Sequence, residues 1–342
     1  MLLCLASLRT ETFAARLDMA TLLEIKDLTV QYAAMRQSVP ALNGITFNVY
    51  EGEVVGFLGE SGSGKTTLGL AILGLLPHGG RIVRGSIRFR GKNLLGLGEK
   101  ELEQIRGAGI SMIFQEPELA LNPVIRALDQ VEEVIHAHRC WSRGRCREEA
   151  QRVLAEVQLD KDPRLFSAYP HQLSGGERQR LVIAQALACR PALLIADEPS
   201  ASLDSITQNK WLELMKDLRY RLGIAVLLIT HNPAILAEFA DRVVVIYGGR
   251  IVEEARFDQI IRQPQHPYTK ALLDSTPPPP GSGAVKKRLP TIAATRALCQ
   301  SINTACPFEP QCPDRLPVCS HKEPPETLIN DQRRVRCFKY GG

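Results

Sequence analysis

The chain alternates between short apolar runs and longer amphipathic stretches. Residues 22–30 (LLEIKDLTV) and 45–50 alternate loosely between apolar and polar positions, which predicts half-buried strands. Residues 53–58 (EVVGFL) form a short apolar run, and Gly59 follows. Comparable runs occur at 110–114 (ISMIF), 192–196 (ALLIA) and 224–229 (IAVLLI). Unbroken apolarity over so few residues predicts strands covered on both faces. The segment 242–254 (RVVVIYGGRIVEE) reads as two strands about a Gly248-Gly249 turn. Helical patterning runs from Lys65 to Leu75. It dominates 125–190, where charged faces prevail and Pro163, Pro170 and Pro191 punctuate the chain.

Buried strands alternating with helices predict an α/β fold with a largely parallel core sheet, the mid-chain helices forming an inserted subdomain. Composition shifts after Thr276, where Pro277 to Pro280 and a GSG triplet mark a linker before a short tail rich in cysteine and proline. The expected divisions are a disordered extension over 1–20, a main domain over 21–276 with its helical subdomain at about 116–190, and a linker and tail over 277–342. Met1 to Leu8 are apolar but lack a basic leader and are followed by Arg9, Glu11 and Arg16, which argues against a signal peptide. Met19 stands just before the first strand, so residues 1–18 are an extension or an artefact of start-codon choice.

With 342 residues, 44% of them hydrophobic and 23% charged, the chain suits one large soluble domain, or one domain plus an appendage. No apolar run is long enough to cross a bilayer as a helix. The formal charge of +5 is small for this length. Basic residues are scattered apart from Arg143, Arg145 and Arg147, and Lys286, Lys287 and Arg288. That distribution predicts no nucleic-acid partner. The two clusters read as solvated surface first, and as a membrane or acidic-partner contact second. Of nine cysteines, Cys4, Cys140, Cys146 and Cys189 are dispersed, while Cys299, Cys306, Cys312, Cys319 and Cys337 crowd the tail. In a cytosolic setting such crowding points to metal binding or free thiols rather than disulfides.

The sharpest local signal is GESGSGKT, comprising Gly59, Glu60, Ser61, Gly62, Ser63, Gly64, Lys65 and Thr66, followed by Thr67. It fits G-x-x-x-x-G-K-[ST] between an apolar strand and a helix. Glycines let the backbone wrap a phosphate, and the helix that follows presents its positive end. Lys65 would reach the β- and γ-phosphates of ATP, and the Thr66 hydroxyl would coordinate Mg²⁺. Hydrolysis also needs a carboxylate for the metal and a group to deprotonate water. LLIADEP (193–199) supplies both: Asp197 for Mg²⁺, and Glu198 as general base.

Further motifs bring out a resemblance to the ABC transporter ATPases, covering roughly residues 22–270. LSGGERQR (173–180) resembles their signature motif. In that family the corresponding loop faces ATP held by the other protomer, so Ser174, Gly175 and Gly176 would offer a hydroxyl and N–H groups to a γ-phosphate across a dimer. Gln115, in IFQEP, is similar to the family's glutamine that senses Mg²⁺ and water. Ser202-Leu203-Asp204 resembles the D-loop, His231 the switch histidine that contacts the γ-phosphate, and Tyr32 the aromatic residue stacked on adenine. The D-loop region reads PSASLD rather than the commoner threonine-rich form. The resemblance implies a P-loop NTPase fold with an antiparallel N-terminal β subdomain beside the parallel core.

QEPELALNP (115–123), QHPYTKALLDSTP (265–277) and the cysteine tail together resemble the oligopeptide/dipeptide (and nickel) importer branch. That resemblance implies a peripheral subunit on the cytoplasmic face of the plasma membrane. Its partners would be two membrane permeases, a second ATPase protomer identical or related to it, and, indirectly, an extracytoplasmic solute-binding protein. Leu121, Asn122 and Pro123 would lie near a coupling helix. A non-transport ABC ATPase is the rival reading, but the coiled-coil insertion or second cassette of such proteins is absent from the sequence. The tail's ligand candidates are Cys306, Cys312, Cys319 and Cys337, with Cys299 a lesser one. No CxxC knuckle is present, and a [4Fe–4S] cluster, which the branch carries in many such subunits, stands beside zinc and free thiols as the alternatives.

Overall fold

The computed structural model describes residues 20–34, 37–116, 120–160, 162–201, 203–275, 305–330 and 333–341. The expected N-terminal extension (apart from Ala20), the linker from Pro277 to Gly283, Ser202, and Cys4 and Cys299 lie outside the described residues.

Two sheets make up the architecture. The first is antiparallel and joins β1 (Thr21–Ala34), β2 (Gln37–Tyr50), β4 (Gly80–Phe89) and β5 (Lys92–Asn93) in the order β2-β1-β4-β5. The second has eight strands in the order β11-β12-β10-β9-β3-β8-β7-β6. Its centre is β3 (Val54–Leu58), flanked by β8 (Ala225–Thr230) and β9 (Arg242–Tyr247), with β7 (Leu193–Asp197) and β6 (Ile110–Ile113) beyond β8. These five run parallel, whereas β10 (Arg250–Arg256), β12 (Arg333–Arg336) and β11 (Glu326–Asn330) continue the sheet antiparallel.

Alternation along the central strands explains why their apolar runs are unbroken. Val55, Phe57, Leu193, Ile195, Leu227 and Ile229 point into the layer shared with the antiparallel sheet and α1 (Lys65–Leu73). Val54, Leu58, Leu194, Ala196, Val226 and Leu228 point into the layer filled by the remaining helices. Both faces are covered, so these strands are almost wholly apolar, with Ser111 and the strand-end residues Asp197, Thr230 and Arg242 their buried polar positions. Phe47 and Phe57 join the two sheets edge-to-face with centroids 4.8 Å apart. On the other face a Cβ at Gly56 would meet Leu236 Cδ2 at 2.5 Å, so glycine lets α8 (Pro233–Phe239) pack closely on β3.

Between β6 and β7 lie α3 (Ala127–His138), α4 (Arg143–Glu156), α5 (Arg164–Ser167) and α6 (Gly175–Leu187). Leu128, Val131 and Ile135 of α3 and Cys146, Ala150, Val153 and Leu154 of α4 are buried at helical spacing, and their exposed faces carry the charges. α7 (Ser205–Leu222) follows β7, and α9 (Phe257–Arg262) and α10 (Pro267–Asp274) follow β10. The short α2 (Glu99–Ile105) precedes β6.

The β11–β12 hairpin extends the core sheet at β10, with Glu253 opposite Val335 and Glu254 opposite Arg334. Two ion pairs fasten it: a buried one from Arg333 to Glu253 at 2.5 Å, and a half-buried one from Arg334 to Glu254 at 2.6 Å. Glu254 also pairs with Arg242, which reaches Glu53 at 3.0 Å. Glu253 is fully buried and accepts, besides Arg333, the N–H groups of Gln265 and His266 at the start of α10.

Candidate active site

The phosphate loop occupies the turn between β3 and α1. Gly64 has φ 103° and Gly62 φ 80°, both in the left-handed region that glycine alone adopts freely. A Cβ on Gly64 would lie 2.5 Å from the Ala41 carbonyl oxygen, and one on Gly59 would lie 2.4 Å from that of Ile246. Glu60 is half-buried, Ser61 and Gly62 are exposed, Ser63 is buried, Thr66 is exposed and Thr67 half-buried. Lys65 is buried, and its ammonium donates to the carbonyls of Gly59 at 2.8 Å and Glu60 at 2.7 Å and to Ser63 Oγ at 3.3 Å. Burial pushes its pKa down, and the nearby carboxylates of Glu198, Asp197 and Glu60 pull it back up. A poly-anion replacing those loop carbonyls would gain a desolvated cation already in place.

Asp197 closes β7 with 2% exposure. The Thr66 hydroxyl bonds to its carboxylate, while its Oδ1 is buried with no hydrogen-bond partner among the described residues. Burial raises its pKa, the neighbouring Glu198 charge adds to the rise, and Thr66 and Lys65 oppose it. An orphaned anionic oxygen beside a hydroxyl is the oxygen donor set that a hard divalent cation such as Mg²⁺ takes. The residues present therefore fit that ion.

Glu198 follows in a left-handed backbone conformation, φ 47°, unusual for a side chain with a Cβ. Its N–H donates to the Ile229 carbonyl at 2.9 Å, and its own carbonyl accepts from Ala201 at 3.1 Å. β7 and β8 are in register with Asp197 opposite Ile229, so the next residues of each strand meet. His231 Nδ1 lies 2.8 Å from Glu198 Oε1, and the Thr230 hydroxyl lies 3.5 Å from Oε2. Gln115 is exposed two residues beyond Ile113, which pairs with Ala196; the same step along β7 reaches Glu198. Tyr32 sits opposite Val39 and Gly80 in the antiparallel sheet. Glycine at 80 makes room for its ring, since a Cβ there would meet Tyr32 Cε1 at 2.7 Å.

Ser174 caps α6. Its Oγ accepts the Glu177 N–H at 3.4 Å, and Glu177 Oε2 accepts the Ser174 N–H at 2.7 Å, a reciprocal capping box. Ser174, Gly175 and Gly176 line a cleft of about 500 Å³ with Leu203, Asp204 and Trp211, and no residue of the 59–67 loop contributes to it. Asp204 caps α7, where the amides of Thr207 and Ile206 hold its carboxyl below the usual carboxylate range. One chain thus gathers residues 59–67, Asp197, Glu198 and His231 at the C-terminal ends of β3, β7 and β8. Its serine-glycine loop faces elsewhere.

The four tail thiols line one small cavity with His266, Pro267 and Phe308. Backbone amides of Phe308, Asp314 and Lys339 bond to the sulfurs of Cys306, Cys312 and Cys337, and Leu316 N–H reaches Cys319 Sγ at 3.4 Å. Burial pushes the Cys306 thiol up to about 11, and its three neighbours add to the rise. Among the described residues no three Cys, His, Asp or Glu groups close on a single ion. Amide hydrogen bonds to each sulfur would suit thiolate ligands of an iron–sulfur cluster.

Two residues were not legible as parts of this region. The Gln179 side-chain amide, inside the 173–180 motif, donates to the Pro199 carbonyl next to Glu198. The Tyr268 hydroxyl accepts the Glu60 N–H at 3.1 Å, tying α10 to the phosphate loop. Its only sequence signal is its place in QHPYTK.

The ABC transporter family profile matches residues 42–201, and the profile described as the oligopeptide/dipeptide transporter C-terminal region matches 252–319. The chain is 40% identical to the oligopeptide transport ATP-binding protein AppD of Bacillus subtilis, over 94% of this chain and 98% of the relative. It is 39% identical to the oligopeptide transport ATP-binding protein OppD of Salmonella typhimurium, over 93% of each. Among solved structures it resembles the dimeric bacterial ABC transporter cassette MJ0796 with TM-score 0.61 and 31% identity, covering 69% of this chain and 99% of that one. A post-hydrolysis state of the same cassette bound to ADP and Pi is equally similar, at TM-score 0.61.

Proposed function

The chain belongs to the ABC transporter ATP-binding subunits, and on that premise we propose that it hydrolyses ATP between two cassettes to drive peptide import through membrane subunits. The observation that carries this reading is the separation just described. Lys65, Asp197, Glu198 and His231 converge at one end of the core sheet, while Ser174 to Gly176 line a different cleft. A complete site then requires the serine-glycine loop of a second cassette, identical or related.

In this reading the glycine turn and Lys65 bind the phosphates, and Tyr32 stacks on the adenine. Thr66, Asp197 and Gln115 would hold Mg²⁺, which when bound neutralises charge on the phosphate oxygens. Glu198 takes a proton from water as the water oxygen bonds to the γ-phosphorus and the bond to ADP breaks. His231 holds Glu198 in place and contacts the γ-phosphate. Ser174 and the N–H groups of Gly175 and Gly176 complete the phosphate shell from the partner, Asp204 of each chain lying at the junction. Closure does work because ATP binds the closed pair more tightly than the open one.

Peptide as the solute is supported by the names of the relatives and by the match over 252–319. Nickel is the second reading within the same branch. No helix among the described residues is long and apolar enough to cross a membrane, which fits a subunit bound to the cytoplasmic face of permease partners. The gathering of Cys306, Cys312, Cys319 and Cys337 around one cavity supports a [4Fe–4S] cluster, whose loading would displace protons from Cys306, Cys312 and Cys337, which burial keeps protonated. The functional test is reconstitution with two permease subunits and the solute-binding protein in vesicles. ATP-dependent accumulation of a labelled peptide is expected; ATP-dependent nickel uptake with no peptide uptake would replace the solute assigned here.

A further inference from the structure

Glu60 lies in the phosphate loop, and its N–H is held by a side chain from far along the chain, the Tyr268 hydroxyl at 3.1 Å. Tyr268 is fully buried. Its ring packs on Tyr247 with centroids 4.4 Å apart and on Phe308 at 5.5 Å, and Phe308 meets Tyr247 edge-to-face at 5.4 Å. Phe308 is buried and belongs to the tail, between Cys306 and Cys312. A second line of contact runs beside the first. Pro307 abuts the Gly248-Gly249 turn, where a Cβ on Gly248 would meet Pro307 Cβ at 3.2 Å, and Gly249 N–H donates to the Ser63 carbonyl at 3.1 Å. The base of α10 is fixed independently, by Glu253 accepting the His266 N–H at 2.9 Å and by Arg333 of β12 on the same carboxylate.

From these contacts we propose that Tyr268 is a positioning residue for the phosphate loop, and that Phe308 of the cysteine tail holds it there. The tail is thereby a structural part of the nucleotide site. An amide at Glu60 without an acceptor would let the loop sample other turns, and only a fraction of molecules would present the cradle to nucleotide. The proposal rests on the ATP-binding reading of that loop. It adds that affinity is set in part by residues outside every nucleotide-contacting motif.

The full-length chain tests it through Y268F, which keeps the ring contacts and deletes the hydroxyl. Amide hydrogen exchange and binding of a fluorescent ATP analogue are measured on the variant and the natural chain. Faster exchange in peptides covering 57–64 of the nucleotide-free variant is expected, with exchange in β7 and β8 unchanged. Nucleotide should bind roughly fivefold more weakly, the worth of one hydrogen bond, with kcat within about twofold at saturation. F308A should reproduce the exchange change, and F308L should restore it in part; if F308A does not fold, Y268F decides alone. Loop exchange and affinity in Y268F equal to those of a natural chain that binds ATP would overturn the proposal. A natural chain that failed to bind ATP would instead refute the functional reading beneath it.

Discussion

His231 Nδ1 stands 2.8 Å from Glu198 Oε1, the two side chains meeting where adjacent parallel strands end. A carboxylate only accepts, so Nδ1 carries the hydrogen and the imidazole fixes the carboxylate that receives the water proton. Removing the ring in H231A leaves the Glu198 carboxylate with the distant Thr230 hydroxyl as its hydrogen-bond partner among the described residues. The expected result is a fall in kcat of roughly a hundredfold, the cost of mispositioning a reacting group. Nucleotide affinity should change by no more than severalfold. Steady-state ATPase assays with parallel binding measurements check it.

The orphaned Asp197 Oδ1 beside Thr66 predicts a metal phenotype. D197N keeps the shape but removes the charge. Its half-saturating Mg²⁺ concentration for ATP hydrolysis should rise by an order of magnitude or more, while metal-free nucleotide binding is retained. Magnesium titrations of turnover in the variant and the natural chain provide the measurement.

Ser174 to Gly176 line a cleft apart from the phosphate loop, so damage there should separate binding from turnover. A Cβ on Gly175 meets nothing within 4 Å, and a bulky residue fits the single chain without strain. G175R should bind ATP normally yet lose ATP-dependent dimerisation and hydrolysis. Sedimentation with and without ATP reads the first, and phosphate release the second.

Glu253 is fully buried between Arg333 and the start of α10. E253A would leave a buried guanidinium unpaired, which typically costs about 3–5 kcal/mol. The tail hairpin should lose protection in hydrogen exchange, and the melting temperature should fall.

Cysteine substitution tests the tail. C312S should lower bound iron and sulfide and bleach the visible absorption of a chain purified without oxygen. Zinc bound in place of iron in the natural chain would reverse that assignment.

Much of this architecture could be read from apolar runs alone. The runs at 53–58, 110–114, 192–196 and 224–229 agree within a residue or so with β3, β6, β7 and β8, because strands covered on both faces carry apolar residues at nearly every position. The Gly248-Gly249 turn separates β9 from β10 as the sequence implied. β4 was not legible, since GRIVRGSIRF is mostly exposed and spaces its few apolar residues irregularly. β12 was hidden for a stronger reason. Arg333 and Arg334 look like solvated surface, and only pairing with Glu253 and Glu254 lets charges enter a sheet. The site was legible where residues act in one short motif, as in 59–66, and illegible where the contact spans about two hundred residues, as between Tyr268 and Glu60.

The most direct test of the central claim is E198Q, which preserves the side-chain shape beside His231 and removes the base. This variant should bind ATP with natural affinity, accumulate as a nucleotide-bound dimer with Mg²⁺, and release no phosphate over many natural turnover times. Undiminished phosphate release by E198Q would contradict that claim.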